Sequence, residues 1–167
     1  MCYMIKSASC HCFRLVIFFL IVFSQPVFPV YAGSSAAMLI DKANQKVEAN
    51  QLDSAIFYYL GATGQYGLDQ AYDSQAGVYN TLGNLFLGIA DYEQALVHFV
   101  RAAEIYEQKT DNLTAFSRPL ANIAVIHNIQ GNHDQALYDA RKSRDMATQA
   151  ADTLVMSFTQ RLPDRMR

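Results

Sequence analysis

The side chains best able to do chemistry are three histidines, His98, His127 and His133. No two of them stand one helical turn apart, the spacing at which paired imidazoles grip a metal ion. His127 reads as a core histidine in an aromatic's place, and His133 as a surface residue beside a helix cap. Spaced glycines in "GATGQYG" (61–67) hint at a phosphate loop. That segment follows a helical pattern and lacks the Gly-Lys-Ser/Thr ending, so it reads as a helix end and turn. Asp69 and Asp73 are one-turn neighbours on a solvated face. No Gly-x-Ser-x-Gly, no His-Glu-x-x-His and no cysteine nucleophile occurs. The expectation is a protein that is not an enzyme and holds neither metal nor cofactor.

The leader, 1–32, differs in kind from the rest. Lys6, His11 and Arg14 lead into the apolar run "LVIFFLIVF" (15–23), and "SQPVFPVYA" follows, with Val30 and Ala32 at the small-residue places before a cut. This is the order of a secretory signal peptide. A spanning helix needs about 18 or more apolar residues, and this run is shorter and is followed by Pro26 and Pro29. Residues 1–32 are therefore expected to be removed and the protein exported, periplasmic or secreted, with anchoring through 15–24 as the alternative. Cys2, Cys10 and Cys12 all lie in the leader, so "CHC" (10–12) would be discarded and the mature chain, 33–167, would have no disulfide. The sequon Asn112-Leu113-Thr114 matters only where exports are glycosylated. The mature part carries 11 Lys/Arg against 15 Asp/Glu, net −4, with no basic stripe interleaved with aromatics, so no nucleic-acid partner is expected.

Within the mature part the sequence repeats. "NQLDSAIFYYLGA" (50–62), "ADYEQALVHFVRA" (90–102) and "GNHDQALYDARKS" (131–143) align on Ala55, Ala95 and Ala136. The period is about 40 residues, within the range of repeat architectures. Each block follows another helical pattern: "MLIDKANQKVEA", "VYNTLGNLFLGI" and "PLANIAVIHNIQ". Apolar residues recur at i, i+3 or i+4 and i+7, and no stretch alternates like a strand. Asp91 with Gln94, and Asn132 with Gln135, read as capping boxes. Three helix-turn-helix units in tandem give an all-α solenoid. Tyr79, Gly83 and Phe86 share one helix face, and Ala95, Phe99 and Ala102 share one face of the next. A glycine inside a helix costs roughly 1 kcal/mol relative to alanine, so Gly83 suggests two axes held close together. Pro119, with Ser117 ahead of it, starts or kinks the third unit's first helix. "ADTLVMSFTQRL" puts Leu154, Val155, Phe158 and Leu162 on one side and reads as a short closing helix over the last apolar edge.

The unit resembles a tetratricopeptide repeat of the variety with about 40 residues. Tyr79, Leu82-Gly83, Phe86, Ala95, Phe99 and Ala102 match its signature one by one. In the third unit Ala124, Gly131 and Ala136 fit, while His127 and Ala140 stand at aromatic places. In the first, Ala43, Ala55, Tyr59 and Ala62 fit, while Lys42 and Lys46 do not. The resemblance implies a right-handed α-solenoid with repeats at about 36–67, 72–109 and 114–150 and a capping helix at about 151–162. It also implies a concave groove, lined by the first helices, for a peptide or protein segment.

Candidate groove residues are Asn44, Asn80, Asn84, Arg118, Asn122 and Asn128, because asparagine both donates to and accepts from a peptide amide. The family's carboxylate-clamping pattern is matched by Asn44 and Arg118 but not by Ile40, Thr81 or Asn122. An exported, non-enzymatic adaptor is the expected function. The alternative is the sensory input module, or a truncated relative, of a membrane-bound histidine kinase or cyclase with such repeats. Membrane contact is expected only through an uncleaved leader. If Val30-Tyr31-Ala32 is the cleavage site, intact-mass analysis of the exported protein should find a chain beginning at Gly33; a leader still attached would refute it.

Overall fold

The structure, a computed structural model, describes residues 35–161, with side chains described as far as Leu154. The leader, its cleavage site and residues 162–167 lie outside the described residues. Six helices and no strand occur among the described residues: α1 (Ala36–Glu48), α2 (Leu52–Leu68), α3 (Tyr72–Gly88), α4 (Tyr92–Lys109), α5 (Leu113–Ile129) and α6 (His133–Arg161). Each packs against its neighbours in sequence, as an all-α solenoid requires, and α3 additionally touches α5. The backbones of α2 and α4, and of α4 and α6, stay further apart, although Lys142 of α6 reaches Glu107 of α4 at 3.0 Å, so the closest approach between first helices is that of α3 and α5 in the inner row.

Polar side chains open three of the helices. Ser35 accepts from the Met38 N–H, Asp91 from Gln94 and Asn112 from Ala115, each satisfying one of the orphan donors of a first turn. Four turns repeat one backbone device. Asn50, Gln70, Ala90 and Gly131 have φ of 54°, 55°, 59° and 79°. In each turn the next residue's N–H reaches back to a carbonyl in the last turn of the helix (Gln51 to Lys46, Ala71 to Tyr66, Asp91 to Phe86, Asn132 to His127). This is the Schellman closure, which uses the last carbonyls of one helix and reverses the chain. Only one of the four has the glycine that usually occupies this place, so turn residues in the sequence signal the reversals weakly.

The paired helices meet through small residues. A Cβ built on Gly83 would lie 2.6 Å from the Phe99 ring, and Phe99 itself is fully buried. Gly83 therefore gives way to an aromatic face as well as to the nearby Ala95. Ala43, Ala55, Ala62, Ala76, Ala95 and Ala102 have no accessible surface at all. Larger residues fill the spaces between pairs: Val78 and Leu82 pack with Tyr59, and Ile123 and Ile126 pack with Phe99.

Two segments differ from the expectations. "GATGQYG" forms the last two turns of α2 and contains no turn between helices, because α2 continues through it to Leu68. Its glycines thin one side of α2. A Cβ at Gly67 would stand 2.7 Å from Gln75 Nε2, which donates to the Thr63 carbonyl at 3.1 Å. The separate closing helix at 151–162 is likewise absent, since α6 runs unbroken from His133 to Arg161. Pro119 lies buried inside α5, well past its start at Leu113.

Two substitutions should move stability in opposite directions. Gly83→Leu must displace the buried Phe99 ring and should destabilise by about 1–3 kcal/mol. Ala90→Gly relieves a left-handed alanine and should stabilise by about 0.5–1 kcal/mol, the left-handed cost exceeding glycine's entropic cost. Thermal melts of the two variants beside the parent check both signs.

Candidate functional site

The inner row brings together three of the six asparagine and arginine candidates directly. Asn122 on α5 donates from Nδ2 to Asn84 Oδ1 at 3.2 Å and, at 3.5 Å, to Asn80 Oδ1, both on α3. Asn80 and Asn84 are one turn apart, so both project toward α5. Asn84 is exposed and the other two half-buried. Among the described residues, the amide N–H groups of Asn80 and Asn84 and the carbonyl of Asn122 have no other protein partner. The surface thus offers donors from one unit and an acceptor from the next. That alternation matches the amide edge of an extended peptide.

Arg118 is exposed on α5 one turn before Asn122 and extends this surface. It lies near the Tyr106 phenol, which donates to the Asp73 carbonyl at 3.4 Å. Burial pushes the Tyr106 pKa up, the Asp73 charge adds to that, and the Arg118 charge opposes it. The remaining two candidates sit elsewhere. Asn44 accepts from the Tyr59 hydroxyl at 2.5 Å, which ties it to its own pair partner α2. Asn128 Oδ1 accepts from His133 Nδ1 at 3.0 Å across the α5–α6 turn, and Asn128 lines a different groove.

The residues named for repeat packing lie between helices, within a pair or between successive pairs. Ala55, Leu82, Ala95, Phe99 and Ala102 are without accessible surface, and Tyr59, Gly83, Ala124 and Ala136 are buried. Tyr79 and Phe86 are half-buried and flank His98 on α4. The imidazole stacks on Phe86, with centroids 5.2 Å apart and planes 9° apart, and on Tyr79 at 6.1 Å and 22°. In the third unit the places of Phe86 and His98 are held by His127 and Asp139. There His127 Nδ1 lies 2.8 Å from Asp139 Oδ2, and Gln135 Nε2 donates to both carboxylate oxygens at 3.3 Å. Gln135 thus serves Asp139, the residue sequence reasoning missed. The signal was present in the register, since Asp139 stands where His98 stands in the preceding unit and must face His127. The Ser143 hydroxyl donates to the Ser117 carbonyl at 2.8 Å. No cluster of three or more His, Cys, Asp or Glu fit to hold a metal occurs among the described residues.

No protein-family model matches the chain, and no curated protein matches it. Among solved structures, the crystal structure of BtubC (BKLC) from P. vanneervenii is similar, with a TM-score of 0.60 and 20% sequence identity. The likeness covers 70% of this chain and 48% of that one, so this chain spans about half the length of that structure. At such identity the likeness carries fold alone. It agrees with the six stacked helices: this is an all-α protein of helical-repeat architecture.

His98 gives the fold a pH dependence whose sign follows from its surroundings. Burial disfavours the imidazolium and holds the His98 pKa below the ordinary histidine value. The folded chain therefore binds this proton less readily than the unfolded chain, and stability falls as pH drops below the unfolded value. His98→Phe keeps the stack and removes the titration. Melting temperatures between about pH 7.5 and 5 should decline less steeply in this variant than in the parent. His127 is common to both proteins, so the difference reports His98, and equal slopes would contradict the assignment.

Proposed function

We propose that the protein is an adaptor without catalytic activity whose inner helix row receives an extended peptide or protein segment. In this reading the units are of tetratricopeptide type. Support comes from Leu82-Gly83, Phe86, Ala95, Phe99 and Ala102 in one unit, and from the small residues at matching places in the others. The observation that carries the functional reading is the meeting of Asn80, Asn84 and Asn122 on an accessible surface, with donors and an acceptor left over. An extended segment presents alternating N–H and C=O groups, and asparagines bind these without reading side chains. Arg118 adds a positive end to the same surface, favouring a segment that carries an acidic residue or a carboxylate there. Export through the leader belongs to the same reading and puts the adaptor to work outside the cytoplasm.

A random-peptide display selection against the protein provides ligands for the test. Each amide bond lost costs about 0.5–1.5 kcal/mol, so Asn80→Ala with Asn84→Ala should weaken a selected peptide by roughly ten-fold or more. Melting should hardly move, because water replaces these bonds at the surface and alanine favours the helix. Unchanged affinity moves the binding surface off the inner row. A large fall in melting temperature makes the asparagine bridge structural.

A further inference from the structure

One interface repeats along the solenoid. The groove between α1 and α2 receives α3, whose Val78, Leu82 and Leu85 pack with Ala43, Ala55 and Tyr59. The groove between α3 and α4 receives α5, whose Ile123 and Ile126 pack with Ala95 and Phe99. The places are the same in both units: Ala55 corresponds to Ala95, Tyr59 to Phe99 and Leu82 to Ile123. Between α5 and α6 the same groove is open, with a volume of about 540 Å³. Ala124, Ala136, Leu137 and Ala140 line it, at the places of Ala43, Ala55, Ile56 and Tyr59 in the first unit. Among the described residues no helix packs into it.

Its lining is not that of a solenoid end facing water. Such an end is polar, and α1 follows the rule: Lys42 and Gln45, at the places of Leu82 and Leu85, are exposed. The third unit does the reverse. Val125 and Ile129 on its rim are 48% and 50% exposed, where the earlier units carry Asn44 and Asn84, and Glu48 and Gly88. Leu137 is 52% exposed, whereas its counterparts Ile56 and Leu96 are half-buried in the clusters that α3 and α5 complete. The floor differs as well. Buried rings, Tyr59 and Phe99, fill the centre of the earlier grooves, and Ala140 leaves a hollow at that place.

We infer that this groove docks one amphipathic helix of another protein, in the place that α3 and α5 take on the earlier units. The contact continues the interface already built twice within the chain, and it is separate from the inner row that receives an extended segment. The docked helix carries apolar residues at the spacing of Val78, Leu82 and Leu85, that is i, i+4 and i+7, as helices held in apolar grooves do. Its middle residue is aromatic, because Ala140 gives up the space that a ring of the protein fills elsewhere. A second copy stacked end to end does not supply such a helix. It would offer α1, and Lys42 would enter the groove at the place of Leu82. An unpaired ammonium group is costly to bury among apolar side chains.

The probe is a synthetic helix with the α3 sequence, Tyr72–Gly88, in two forms, one with Leu82 and one with Leu82→Phe. Both are stapled through Gly77 and Thr81, because a free helix of that length is marginal in water. Titrated into the intact chain and followed by fluorescence anisotropy, the Leu82→Phe helix should bind saturably and about ten-fold more tightly than the Leu82 form. Leu137→Glu, at an exposed position, should leave circular dichroism and melting near those of the parent and weaken this binding by about ten-fold or more. Ala140→Phe restores the ring of the earlier units and should reverse the preference, so that the Leu82 form binds more tightly. The protein with Asn80→Ala and Asn84→Ala should bind both helices as the parent does, so this groove and the inner row are tested separately. Absence of saturable binding overturns the proposal, as does binding that survives Leu137→Glu or a preference that Ala140→Phe does not reverse. Binding lost with the two asparagines would put the helix on the inner row and overturn it. A dimer in sedimentation that Leu137→Glu dissolves would put a second copy in the groove and overturn it too.

Discussion

How near two helices of a pair can come decides everything else in this fold. Gly83 has no side chain to hold the Phe99 ring away, and the alanines on either side are without accessible surface. Helix axes brought that close leave little volume for a core inside each pair. The larger residues therefore work mainly between pairs, where Leu82, Ile123 and Ile126 are buried. A globular core concentrates its big side chains at one centre, whereas this protein spreads them along an axis. Each pair then depends chiefly on the pair next to it, and the inner row of first helices is a by-product of that stacking.

Much of this was legible because close packing leaves a periodic trace. Ala55, Ala95 and Ala136, evenly spaced along the chain, fix where the second helices lie, whatever the turns contain. Less legible was anything set by tertiary context. Gly61, Gly64 and Gly67 read as a helix end and turn, yet all three sit inside α2, and the Gln75 amide lies 2.7 Å from where a Cβ of Gly67 would be. Glycine weakens a helix locally, and packing overrides that preference. The closing helix failed for another reason: an amphipathic pattern names the face that needs covering, but not whether the chain folds back to cover it. Of the candidate groove residues, position along a helix could not tell Asn84, which bonds to Asn122, from Asn44, which the Tyr59 hydroxyl holds.

Polar chemistry inside the stack changes from unit to unit while the backbone positions stay the same. Phe86 on His98 is a stack of two flat rings, and His127 with Asp139 at the same places is a hydrogen-bonded pair. A stack tolerates sliding. A buried polar pair does not, because separating its members leaves each short of a partner at a cost of about 1–3 kcal/mol. The register of the third unit thus rests on a directional bond where that of the second rests on a ring stack.

The joint between α4 and α5 is built unlike the other four. Thr110 is extended, with φ −139° and ψ 162°, and no left-handed residue reverses the chain there. Its hydroxyl instead donates to the Tyr106 carbonyl at 3.3 Å and accepts from the Asn112 N–H at 3.3 Å. Elsewhere the angle between successive helices is set by main-chain bonds, which are the same in every unit. At this joint the Thr110 hydroxyl joins one main-chain bond, from the Leu113 N–H to the Asp111 carbonyl, and across it Asn122 reaches back to Asn80 and Asn84. The curvature of the inner row between the second and third units is consequently held by side chains on two sides, like a latch opposite a hinge pin. Of all the angles in the solenoid, this is the one that substitutions of single side chains can reset.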